Sequence, residues 1–74
     1  MTLDQLPLNL NAAIVKVGGA GPLRLRLLDM GLIPGTTVVT HKRAPMGDPI
    51  EILLRGYSLT LRLEDARSVE VRPL

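Results

Sequence analysis

The sequence contains no cysteine, which excludes disulfide staples and thiolate metal sites and leaves apolar packing to hold the fold alone. Aromatic residues are almost as scarce: Tyr57 is the only one, so Leu, Ile and Val must fill the core of a chain that is 46% hydrophobic. No apolar run approaches the roughly 20 residues needed to span a bilayer, and no basic-then-apolar leader opens the chain. Neither export nor membrane insertion is indicated, and the expected location is cytoplasmic. Blocks of like charge are also missing. Nine Lys and Arg against seven Asp and Glu give a net charge of +2, with the signs interleaved from Lys16 to Arg72.

What remains is a chain of 74 residues, enough for one domain with one core and too little for a deep catalytic cleft beside it. Thr2, followed three residues later by Gln5, forms a capping-box pattern that Pro7 cuts short, which predicts a single helical turn. From Ala12 to Val17 the β-branched Ile14, Val15 and Val17 predict a strand, ended by Gly18-Gly19-Ala20-Gly21. Between Pro22 and Met30 strand and helix periodicities compete. The ends favour a helix, because Pro22 suits a first helical position and Gly31 suits the left-handed residue past its end. On that helix Leu23, Leu27 and Met30 form the packing stripe, so Leu25 and Leu28 fall off it and at least one stands beside Arg24 at the surface.

Pro34 and Gly35 then fit the central positions of a type II turn, and Thr36 to Lys42 read as the next strand. Arg43 to Pro49 is a loop with two prolines, Pro45 and Pro49, a turn at Gly47-Asp48, and Met46 at its tip. The strongest local pattern follows. Ile50, Ile52 and Leu54 alternate with polar or outward positions, as do Leu59, Leu61 and Leu63. A two-residue Arg55-Gly56 loop sets Leu54 opposite Tyr57, Ile52 opposite Leu59 and Ile50 opposite Leu61, although Arg is a less favourable first residue there than Asn. Glu64 to Arg67 fits one helical turn, and Val69 and Val71 a last strand. Five strands with a short helix after the first predict a mainly β domain spanning residues 1–74, closed as a small SH3-like barrel.

A catalytic reading finds few parts. The single imidazole, His41, lies in mid-strand with no nucleophile or orienting acid assignable to it, and Glu64-Asp65 reads as a solvated turn. No enzyme is expected. For a metal, His41 with Asp48 is the one sequence-local pairing, against the three or more donors a site usually needs. The glycine run Gly18 to Gly21 matches neither phosphate-binding fingerprint. Arg24, Arg26, Lys42, Arg43 and Arg55 leave a nucleic-acid-binding barrel as an alternative, but the aromatic platforms on which bases stack are missing.

The order of three motifs resembles the FeoA family of ferrous-iron-transport accessory proteins: Leu27-Leu28-Asp29-Met30-Gly31-Leu32-Ile33-Pro34-Gly35-Thr36, then Ala44-Pro45-Met46-Gly47-Asp48-Pro49-Ile50, then Leu59 to Arg62 with Ala66. FeoA proteins are similar to the SH3-like C-terminal domain of DtxR-type repressors. With a methionine first and no DNA-binding helices, the expectation is a free-standing member. The resemblance implies a cytoplasmic partner of FeoB, a membrane permease with a cytosolic GTP-binding domain, in ferrous-iron uptake. Transition-metal binding enters by family association only, as the alternative of an autonomous metal carrier, and self-association is left open. Partner contacts are expected at Arg24, Leu25, Leu28, Pro45 and Met46. Gly31, Pro34, Gly35, Gly47 and Gly56 are expected to shape the turns.

Overall fold

The computed structural model describes residues 1–74. A 3-10 turn, Leu3–Gln5, opens the chain and carries the capping box at Thr2. Five strands follow, β1 (Asn11–Val17), β2 (Thr37–Arg43), β3 (Ile50–Leu54), β4 (Tyr57–Leu61) and β5 (Val69–Pro73), with α1 (Gly21–Asp29) after β1 and α2 (Leu63–Ala66) between β4 and β5. The helix expected after the first strand is thus joined by two shorter helical turns, and it begins at Gly21, with Pro22 one position further in.

All strands lie in one antiparallel sheet of order β4-β3-β2-β1-β5. The closed barrel expected from the strand count is not formed, because β4 and β5 do not pair. Both would have to give their free edges to each other, and β5 has already given part of its own to the N-terminus: Thr2 bridges Glu70, and Val71 donates its N–H to Met1 O at 2.8 Å. The link from β4 to β5 is wound into α2. Two bulges, one between Ile14 and Lys16 and one between Thr40 and Lys42, curl the sheet around its apolar face.

The β3–β4 register is the expected one, Leu54 opposite Tyr57, Ile52 opposite Leu59 and Ile50 opposite Leu61. It stacks Ile50, Ile52, Leu54 and Leu61 into the core with Ile14, Val38 and Val71. Leu27 of α1 and Leu32 close one side. Leu3 and Leu6 are also fully buried, so the N-terminal turn is part of the core and not a loose tail. Burial of each such leucine stabilises by about 1.5–3 kcal/mol.

The connections follow from their residues. Past α1, Gly31 has φ +100, its N–H bonds Leu28 O and the N–H of Leu32 bonds Leu27 O, the paired closure that ends a helix on glycine. Ile33-Pro34-Gly35-Thr36 is a turn closed by Thr36 N–H to Ile33 O at 3.0 Å, with Gly35 at φ +92. In the β3–β4 loop both Arg55 (φ 50) and Gly56 (φ 82) take positive φ, as a primed two-residue turn requires.

Candidate functional site

The partner-contact residues expected from the sequence fall on two elements. On α1, Arg24 and Leu25 are exposed, Leu25 at 60%. Leu28 is half-buried and packs against the core, so Leu25 is the side chain that stands free of the packing stripe. Arg24 is partly committed, its Nε donating to Val17 O at 3.2 Å. In the β2–β3 loop, Gly47 N–H bonds Ala44 O at 2.7 Å, a tight turn with Pro45 and Met46 at its centre. Ala44 N–H to Pro49 O closes the loop base at 3.0 Å. Met46 therefore projects from a fixed support while 92% exposed, which no packing role explains.

α2 ties the two elements together. Arg26 of α1 pairs with Asp65 at 3.1 Å, and Asp48 of the loop accepts the Leu63 N–H on its Oδ1 at 3.1 Å. The sequence reads Asp48 as a turn residue, too short of companions for a metal site; its carboxylate is at the start of α2, where an unpaired N–H needs an acceptor.

The alternative chemistries find less support. Of the five residues of the basic patch, four make contacts within the protein: Arg24 bonds Val17 O, Arg26 pairs with Asp65, Arg43 donates to Asp4 O and Leu6 O at 3.1 and 3.0 Å, and Arg55 donates to Thr36 Oγ1 at 3.3 Å. Arg43 clamps the N-terminal turn onto the core through one nitrogen, Nη2, which donates to both carbonyls. His41 sits at the β2 bulge, its Nε2 2.5 Å from Glu51 Oε2 but out of line for a hydrogen bond. Asp48 is not its neighbour in function, and nowhere do three His, Asp or Glu side chains converge in the geometry of a metal site. No helix is long and apolar enough to cross a membrane.

The FeoA domain model matches residues 1–73. A Fe(2+) transport protein A/Fe(2+) transporter FeoB fusion protein of Porphyromonas gingivalis is 39% identical over 71 residues, 96% of this chain, and the chain spans only 8% of that protein's length. The solution structure of iron(II) transport protein A from Clostridium thermocellum superposes with a TM-score of 0.95 at 32% identity, covering all of this chain and 46% of that one. FeoA of Stenotrophomonas maltophilia, solved with zinc and described as an SH3 domain protein put forward as a ferrous iron transport activating factor, gives 0.85 at 28% identity over 97% of this chain and 89% of its own. A manganese-dependent transcriptional repressor shares the fold alone, with a TM-score of 0.90 at 14% identity over 36% of its length. An open, five-stranded SH3-like sheet matched from end to end by this model makes the chain a member of the FeoA domain family, which is linked to ferrous iron transport.

Proposed function

We propose that this chain is a non-catalytic docking module that binds the cytosolic part of a FeoB-type permease and acts on ferrous-iron uptake through that contact. The observation that carries the proposal is the P. gingivalis fusion, in which a relative of this chain and the transporter share one polypeptide. Fusion holds two modules at a high effective concentration, which benefits function when the two must meet. The contact surface is the pair of elements joined by α2. Met46 on its turn and Leu25 on α1 offer exposed apolar anchors, with Arg24 and Pro45 beside them.

The test is binding of the purified chain to the cytosolic part of FeoB, with Met46→Asp and Leu25→Asp compared with the unaltered protein. Both positions are exposed, so the variants should fold, and an unchanged amide spectrum checks this. Each should weaken binding about tenfold or more, the scale of a lost apolar anchor. Unchanged binding and unchanged iron uptake by both folded variants would overturn the Met46–Leu25 surface, and no binding by the unaltered chain would sink the proposal.

A further inference from the structure

We propose that Arg55 anchors a second docking site, at the other end of β3 from Met46, which takes a segment of the permease presenting a carboxylate beside an apolar side chain. This inference rests on the docking function proposed above and names a part of its interface. β3 runs from the Met46 loop to the Arg55 turn, and its residues Ile50–Leu54 span roughly 15 Å between the two sites.

Three observations carry it. Arg55 holds a left-handed backbone, φ 50, at a position where Asn or Gly would sit without strain, so the turn itself does not account for an arginine. Its guanidinium has no acidic partner, which it shares with six other Lys and Arg side chains of the chain, and what sets it apart is its place on the grooves described next. The ion pairs of the chain are Arg26–Asp65 and Arg67–Asp4, and the one partner of Arg55 is the neutral Thr36 hydroxyl, at 3.3 Å.

Finally, Arg55, with Thr37, forms the wall shared by two open grooves and is the one charged residue on either. One runs along Pro34, Gly35, Thr36 and Thr37; the other crosses the outer face of the sheet over Val39 and Leu53, and neither is lined by an acid. Val39 and Leu53 are register partners on adjacent strands and only half-buried, which gives an apolar floor. A Cβ built on Gly35 would meet nothing, so the first groove is open above the turn. A lone cation beside an apolar floor is complementary to a carboxylate flanked by an apolar side chain. Arginine presents its donors to a carboxylate in pairs, and such charge-assisted contacts orient a partner as well as hold it.

The experiment titrates the ¹⁵N-labelled chain with the cytosolic part of FeoB and follows the amides of Thr36, Thr37, Val39, Leu53 and Gly56, for the unaltered protein, Arg55→Asn and Arg55→Glu. Asn keeps the turn, so the fold is retained. Arg55→Asn should weaken binding about tenfold and lower its sensitivity to salt, Arg55→Glu should weaken it further, and the named amides should shift only with the arginine present. Binding by Arg55→Glu equal to that of the unaltered chain, while Met46→Asp still weakens it, overturns this site and leaves the docking function standing. No binding by the unaltered chain overturns both.

Discussion

Gly31 and Tyr57 meet where the end of α1 touches β4: a Cβ on Gly31 would lie 2.5 Å from the Tyr57 hydroxyl, which donates to Met30 O at 2.7 Å. The single aromatic residue thus acts as a tie between the helix end and the edge strand, and the glycine clears its path. Gly31→Ala meets two penalties. Positive φ costs a side-chain-bearing residue about 1–2 kcal/mol, and the displaced hydroxyl forfeits a bond worth about 1 kcal/mol.

The loss expected for Gly31→Ala is therefore about 2–3 kcal/mol in chemical denaturation, against about 0.5–1 kcal/mol for Tyr57→Phe, whose partner carbonyl stays near water. In the double variant the clashing atom is gone and the ring carbon at 3.7 Å is in ordinary contact. It should be more stable than the sum of the two losses by at least 0.5 kcal/mol, roughly the limit of additivity for independent sites. Strict additivity would show that the hydroxyl does not fill the space above Gly31.

Thr40 predicts a gain. Its side chain is fully buried in β2, and its hydroxyl has no hydrogen-bond partner. The carbonyl of that residue is satisfied, Thr40 O accepting the Asn9 N–H at 2.8 Å. An unpaired buried hydroxyl costs about 1–3 kcal/mol, and valine has the same shape and the same strand preference. Thr40→Val should raise stability by about 1 kcal/mol, or the melting temperature by about 4–8 °C for a domain of this size. A lower melting temperature would reveal a partner for the hydroxyl that the structure does not show.

Local patterns carried most of the fold. The alternation in Ile50–Leu54 and Tyr57–Leu61 set a register that only a two-residue turn satisfies, and the Pro22 and Gly31 boundaries resolved the ambiguous α1. Closure was not legible, because it depends on which segment reaches the β5 edge first. Thr2 and Met1 do so, from the far end of the chain, and no local pattern announces that pairing. The same distance hid the burial of Leu3 and Leu6 and the clamp from Arg43, whose carbonyl partners lie 39 and 37 residues away in sequence. For the candidate site, exposure of Met46 followed from two prolines and a glycine around it. Leu25 and Leu28 were both read as lying off the stripe, and the structure separates them: Leu28 packs against the core and Leu25 does not.

Arg55 sets stability against binding, and the two can be measured on one variant. Its left-handed backbone costs about 1 kcal/mol relative to a residue that adopts it freely. The bond to Thr36 returns little, because it is long, at 3.3 Å, and exposed. Arg55→Asn should therefore unfold about 0.5–1 kcal/mol later than the unaltered chain, and Arg55→Gly by a similar or smaller amount because glycine also loosens the unfolded chain. The stabilised Asn variant is the one expected to bind its partner more weakly, so the two readouts should move in opposite directions. A substitution that raised stability and left binding intact would reduce Arg55 to an unfavourable turn residue. One that lowered stability would mean that the guanidinium holds the Pro34–Thr37 segment in place, a structural duty in conflict with its exposed position.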